Sequence, residues 1–250
     1  MNNYSIPNLK NACLAIKRLA DEETGLSIAE LVEELEVPRT SMLRIVSTLE
    51  EEGFLRRSGR KYQLGTTMLA FGLTALKESN IREVARPMLK DLSLATSETS
   101  HIAQLAGKQI LIMEVCDSPH PVRAASRAGT LADVHCSATG KVLLAYTVSD
   151  LADFFDDMTL TRRTANTITT LPDLAKEVEQ TRQQGFGVDN EEYTIGVRCL
   201  AAPVRNAVND VVAAIGITAS VTTFTQRRIK EISEIVTATA QELSSRLGAS

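Results

Sequence analysis

The most constraining feature of the chain is an ordered set of local signals in its first 65 residues. Ser27 is followed three positions on by Glu30, and the apolar series Ile28, Leu31, Val32 and Leu35 starts between them. This is a capping box, in which serine hydroxyl and glutamate carboxylate each satisfy a backbone N–H that the first helical turn leaves without a partner. The helix ends at Val37-Pro38, because the residue before a proline is pushed out of helical geometry. A new helix opens at Arg39 or Thr40 and runs to about Glu52, with Met42, Ile45, Val46 and Leu49 inward, and Gly53 stops it. Phe54 to Arg57 then extends, Ser58-Gly59 turns, and Lys61 to Leu64 returns as a hairpin with a basic tip. Ahead of the set, Asn8 to Ala20 carries the apolar stripe Leu9, Ala12, Cys13, Ile16, Leu19 and Ala20 of a first helix. Two short helices joined by a tight turn, then a basic hairpin, predict a winged helix-turn-helix.

The chemistry of that arrangement is DNA recognition. The second helix of the pair presents its N-terminal residues to base edges in the major groove. Those residues are Arg39, Thr40, Ser41 and Arg44; arginine can donate two hydrogen bonds to guanine, and small hydroxyls reach bases or phosphates. Ser27, at the N-terminus of the preceding helix, joins this set, since helix N-termini favour phosphate. The hairpin residues Arg56, Arg57, Arg60 and Lys61 lie along the backbone or touch the minor groove. Glu50, Glu51 and Glu52 fall at the far end of the helix. The formal net charge of −4 argues against indiscriminate coating of nucleic acid, but the field that matters for an operator is local.

The rest of the 250 residues is apolar enough, at 44% with 23% charged, to bury a core. No apolar run approaches a membrane span, and Met1 to Ser5 lacks the charged start of a signal peptide, so a cytoplasmic protein is expected. Thr66 to Lys77 reads as a linking helix with Leu69, Gly72, Leu73 and Leu76 on one face; a dimer contact and packing on its own domain both fit it. Helices are predicted from Glu83 to Ser97 with Pro87 in the first turn, around Lys141 to Thr147, from Leu171 to Gln184, and from Thr225 to Leu247. Strands are predicted at Ser100–Leu105, Gln109–Cys116, Val197–Val204 and Val211–Thr218. The pattern is α+β. The predicted partition is a winged helix-turn-helix over 1–66, a linker helix over 67–80 and a second domain over 81–250.

Catalytic signatures are missing. Neither G-x-S-x-G nor a phosphate loop occurs, the one S-x-x-K (Ser58 to Lys61) falls in the hairpin turn, and Ser137 and Lys141 are four apart instead of three. We therefore expect no enzyme, no catalytic residue and no cofactor. The four cysteines form no C-x-x-C pair, so no disulfide framework is expected. His101, His135, Cys136 and Cys199 could meet in the fold, which keeps a metal- or redox-responsive regulator as the alternative, although no spacing announces a metal site.

Three blocks resemble the isocitrate lyase regulator (IclR) family of bacterial transcription factors, over nearly the whole chain. The first is Ser27-Ile28-Ala29-Glu30-Leu31 with Pro38-Arg39-Thr40-Ser41-Met42-Leu43-Arg44. The second is His135-Cys136-Ser137-Ala138-Thr139-Gly140-Lys141-Val142-Leu143-Leu144-Ala145. The third is Gly185-Phe186-Gly187-Val188-Asp189-Asn190-Glu191-Glu192 with Gly196-Val197-Arg198-Cys199-Leu200-Ala201-Ala202-Pro203-Val204. The resemblance implies a GAF-like effector-binding domain after the linker, a homodimer or dimer of dimers on a palindromic double-stranded DNA operator, and a small carboxylate effector. It implies a repressor of a catabolic operon by default. Carried over residue by residue, it places the effector among Ala138, Thr139, Asp189, Cys199, Gly216 and Thr218.

The residues themselves suit that role. A helix opening at Ser137 to Gly140 offers backbone N–H groups to a carboxylate. Cys199 and Thr218 can donate, and Asp189 can accept from a ligand hydroxyl. His101, on a predicted strand, is a further pocket candidate. Gly216 stands where the family commonly has serine, which predicts a wider pocket with one donor fewer, and Ile215 to Ser220 lacks the usual Ser-Gly-Pro ending.

Overall fold

The computed structural model describes residues 6–78, 81–121, 123–124 and 126–249, with side chains for all of these except 73–78. The chain forms two compact units, Met1–Ser79 and Asn80–Ser250.

In the first unit α1 (Pro7–Ala20), α2 (Ile28–Leu35) and α3 (Arg39–Glu51) are followed by β1 (Leu55–Ser58), β2 (Lys61–Leu64) and α4 (Thr66–Glu78). The capping box is present: Ser27 N–H donates to Glu30 Oε2 at 2.7 Å, and Glu30 N–H donates to Ser27 Oγ at 3.3 Å. Leu31, Met42 and Val46 are fully buried among Ala15, Leu19, Leu26, Leu55 and Tyr62. β1 and β2 pair antiparallel about Ser58 and Lys61, and Leu26 adds a bridge to Tyr62, tying the segment before α2 to the hairpin.

The second unit is built on an antiparallel sheet in the order β5-β4-β3-β8-β7-β6. Its strands are β3 (Thr99–Ala106), β4 (Gln109–Cys116), β5 (Leu131–Asp133), β6 (Gly187–Asn190), β7 (Val197–Arg205) and β8 (Val211–Ser220). One face packs on α5 (Ile81–Thr96) and α9 (Ile229–Arg246) through Ile102, Leu200, Ile215 and Ile217. The other packs on α6 (Ala138–Thr147) and α8 (Leu171–Gln184) through Ala103, Ala201 and Ala214. Apolar side chains alternate onto both faces, so β7 and β8 read as continuous apolar runs. A short α7 (Leu151–Phe154), which the sequence does not announce, precedes α8.

Three features depart from expectation. α5 begins at Ile81, which is buried in the α5/α9 core, and this moves Pro87 out of the first turn into the helix body. β5 and β6 are additional short strands at the sheet edges. A short 3-10 turn, Gln226–Arg228, precedes α9. Residues 79–80, the end of the expected linker, lie outside the described residues, as do the side chains of Leu73 and Leu76. Among the described residues no helix is long and apolar enough to cross a membrane.

Candidate functional site

The DNA-facing candidates lie on α3, at the start of α2 and on the hairpin of the first unit. The core takes Met42, Ile45, Val46 and part of Leu49; away from it α3 carries the exposed Thr40, Leu43, Arg44 and Ser47, and Arg39 is exposed as the first residue of the helix. Ser41 is half-buried, and the Ser27 hydroxyl is engaged as the α2 cap. The hairpin cations differ in attachment. Arg57 Nε donates to the Gly59 carbonyl at 3.0 Å, and its guanidinium sits 6.0 Å from the Tyr62 ring centroid. Lys61 Nζ donates to Thr24 Oγ1 at 3.3 Å. Arg56 and Arg60 are exposed on the same hairpin.

The effector candidates meet in the second unit, on the α6 face of the sheet. Strand register explains how. Asp189 of β6 is opposite Cys199 of β7, and Cys199 is opposite Thr218 of β8. Cross-strand partners share a face, so the three form one row across the sheet. His101 of β3 is opposite Gly216, one diagonal from Thr218. Thr218 Oγ1 lies 3.4 Å from Cys199 Sγ, 3.4 Å from His101 Nδ1 and 3.4 Å from Ser126 Oγ.

This row faces the start of α6. Ser137 caps that helix by accepting the Gly140 N–H at 3.3 Å, and the cap is packed against the Val134 backbone: a Cβ on Gly140 would stand 2.0 Å from the Val134 carbonyl oxygen. The first-turn N–H groups of Ala138 and Thr139 have no partner within the helix. Between helix start and sheet is a cavity of about 460 Å³. Its polar lining includes His101, Thr139, Asp189, Cys199 and Thr218, with Ala138 beside them; Ile110, Ile112, Ala132 and Val197 supply an apolar wall.

The cavity therefore gathers six of the seven carried-over or inferred residues: His101, Ala138, Thr139, Asp189, Cys199 and Thr218. Gly216 is outside the lining. A Cβ there would come 2.2 Å from the Leu200 carbonyl oxygen, so the glycine serves the close approach of β7 to β8. The expected widening of the pocket at Gly216 is accordingly corrected. Other lining residues are not signalled by the sequence: Ser126, Arg127, Thr130, Tyr193 and Thr194. Tyr193 is held by the Arg163 guanidinium 4.0 Å from its ring centroid.

Burial sets the electrostatics. Asp189 is 1% exposed, and loss of water pushes its carboxyl up to about 7, against the two N–H groups of Glu192 (2.7 Å) and Tyr193 (3.3 Å) that its Oδ1 accepts. Asp189 thus caps a local turn and walls the cavity at once. His101 is pushed down to about 4 by burial and is neutral at pH 7. Burial also pushes the Cys136 thiol up to about 12, and Cys199 is raised as well, so both are thiols and not thiolates at neutral pH. Thiols of that kind are poor nucleophiles, which lends no support to a redox-responsive site. Among the described residues no group of three or more His, Cys, Asp or Glu is placed to hold a metal ion.

One charged cluster next to the cavity goes unannounced by the sequence. Lys141, on α6, is fully buried; its Nζ donates to Glu177 Oε1 at 2.9 Å, the Val188 carbonyl at 2.8 Å and Glu192 Oε1 at 2.5 Å. It ties α6 to α8 and to the turn that Asp189 caps.

Known proteins match along the whole chain. Residues 9–59 match the IclR helix-turn-helix domain, and residues 73–245 match the bacterial transcriptional regulator IclR C-terminal domain. The transcriptional regulator BhcR of Paracoccus denitrificans is 30% identical over 234 residues, 92% of this chain and 84% of its own length. The regulator KdgR of Escherichia coli is 30% identical over 230 residues, 91% of this chain and 88% of its own. The crystal structure of Thermotoga maritima IclR has a TM-score of 0.72 at 28% identity, covering 98% of this chain and 100% of that one.

Proposed function

Since the chain belongs to the IclR family of bacterial transcriptional regulators, a family of DNA-binding proteins, we propose that it represses a catabolic operon and that a small organic or sugar acid in the cavity sets its operator affinity. The observation that carries the effector reading is the row Asp189, Cys199, Thr218 facing the N-terminus of α6 across one cavity. The N–H groups of Ala138 and Thr139 favour a carboxylate. Asp189 and the Thr218 hydroxyl suit a ligand hydroxyl. The apolar wall accepts a carbon body larger than a two-carbon acid. Relatives named as transcriptional repressors, such as AllR, support the sign of regulation.

On this reading residues 1–66 bind DNA, 67–80 link, and 81–250 sense. The DNA contacts are Arg39, Thr40, Ser41 and Arg44 of α3, Ser27 at the α2 start, and Arg56, Arg57, Arg60 and Lys61 of the hairpin. A single winged helix covers too little DNA for useful specificity, so the working form is a homodimer or dimer of dimers on a palindromic operator. The exposed Leu69 and Phe71 of α4 offer apolar surface for that pairing. The protein acts in the cytoplasm, without a cofactor and without a catalytic step; the relatives it matches are named regulators.

The test is a thermal-shift panel of organic acids on the full chain, including 4-hydroxybenzoate, which a solved IclR homologue holds. A stabilising acid identifies the effector by mass action. Asp189→Ala and Thr218→Val should each weaken its binding in calorimetry while operator affinity without effector stays unchanged. Equal affinity in both variants would remove the cavity from the reading.

A further inference from the structure

The outward side of α3 holds one residue that hydrogen bonding to DNA does not explain. Leu43 is 41% exposed, while every other large apolar side chain of this helix is buried or half-buried in the core. At 100° per residue it lies within about 60° of Thr40 and Ser47, both exposed, with Arg44 about 100° away. Thr40 is one turn before it, Ser47 one turn after, and Arg44 adjoins it. A leucine at the edge of this polar and basic stripe leaves apolar surface in water wherever α3 is free of a partner.

A helix seated in the major groove meets one apolar group on the base edges, the C5-methyl of thymine. We propose that Leu43 is a specificity-determining residue that packs on a thymine methyl in each operator half-site. It rests on the reading of α3 as the recognition helix, and it adds a base identity that Arg39, Thr40 and Arg44 do not supply. Arginine selects guanine through O6 and N7, and hydroxyls discriminate weakly. Leu43 selects T over C at the same groove position, because cytosine has a bare C5–H and an amino donor that a leucine leaves unpaired.

The experiment uses the full chain and its mapped operator in fluorescence anisotropy at fixed salt. Thymines are replaced one symmetric pair at a time by deoxyuridine, which removes the methyl and keeps the base pair. One methylene-sized group buried per half-site corresponds to about fourfold in affinity, so one symmetric pair should weaken wild-type binding by roughly 15-fold. Leu43→Ala should bind the natural operator more weakly and respond to that same pair by less than about twofold. Leu43→Met, which keeps an apolar reach, should retain most of the thymine preference. If Leu43→Ala keeps the wild-type ratio of thymine to deoxyuridine affinity, or if no thymine pair affects the wild type, the inference is overturned. Arg44→Ala separates the two levels of the argument. If it weakens binding while the Leu43 result is negative, only the methyl contact fails. If it too binds as wild type, α3 is not the recognition helix and both fail.

Discussion

Lys141→Met removes the buried ammonium while keeping a side chain of similar reach, so it isolates the charge. Three acceptors lose their donor: Glu177, the Val188 carbonyl and Glu192. They are not equivalent. The Glu177 side chain is 27% exposed and can rehydrate. The Glu192 side chain is 7% exposed; its Oε1 keeps the Asn190 N–H at 3.4 Å, but among the described residues its Oε2 has no partner, so the carboxylate is poorly compensated once Lys141 is gone. Removing one member of a buried pair costs about 3–5 kcal/mol, most of it from the charge left behind. We expect that loss in the second unit at pH 7.5.

The penalty should depend on pH with a definite sign. Burial already raises the Glu192 carboxyl, and Lys141 opposes that rise. Without the ammonium, folded Glu192 holds its proton to higher pH than the unfolded chain does, and stability then falls as pH rises. The variant should lie near wild type at pH 4.5 and lose ground steadily to pH 8. Lys141→Met/Glu192→Gln should recover much of the loss, since no buried charge is stranded. The chain has no tryptophan, so the readout is hydrogen exchange under urea in peptides spanning α6 and β6. A loss under about 1 kcal/mol, or one that is flat in pH, would mean that Lys141 does not compensate a buried Glu192 charge.

Asp189→Asn should remove a pH dependence. The folded carboxyl at about 7 is above the unfolded value near 3.9, so wild-type stability is highest below pH 4 and falls as pH rises through 7, by up to about 4 kcal/mol relative to the amide variant; parallel pH profiles from urea melts would contradict this. Gly216→Ala should destabilise the second unit by about 2 kcal/mol or more, because its Cβ meets the Leu200 carbonyl at 2.2 Å; a neutral result in thermal melts would mean β7 yields easily. Arg56→Ala/Arg60→Ala should flatten the slope of log K against log salt by roughly 0.9 per lost phosphate contact, with little change in sequence preference. An unchanged slope would turn the hairpin away from DNA.

The first unit can be read from sequence because its signals act within four residues. The Ser27–Glu30 box, the proline that caps α3 and the glycine after it are local chemistry, and they reappear in the structure at those positions. β6 is different. Gly187 to Asn190 has no alternation that marks a strand, and its identity comes from pairing with β7 across a turn. Without that pairing the alignment of Asp189, Cys199 and Thr218 into one row is invisible, although a resemblance to the family singles out each residue. Lys141 is hidden for the same reason. A lysine in a helix reads as surface, and nothing local says that Glu177, 36 residues on, and Glu192, 51 residues on, converge on it. Gly216 misleads because the sequence shows a missing side chain but not the backbone of β7 filling its place.

Placed together, these buried groups explain how a ligand in the cavity could be felt by the fold around it. Asp189 Oδ1 holds the N–H groups of Glu192 and Tyr193 and so fixes the turn between β6 and β7. Through Glu192 that turn reaches Lys141, and through Lys141 it reaches α6 and α8. Through Tyr193 it lines the cavity and stacks on Arg163, which pairs with Asp133 at 2.6 Å at the end of β5. A ligand hydroxyl that engages Asp189 therefore acts on the residue that sets this turn, while a ligand carboxylate at Ala138 and Thr139 acts on the start of the helix the turn is pinned to. In the proposed binding mode both ends of one small acid bear on α6. An apolar ligand of equal volume would fill the cavity without hydrogen-bonding to either anchor. Because a ligand shifts a conformational equilibrium only by its differential affinity for the two states, an acid bound in the proposed way would act through its polar ends and not through its bulk.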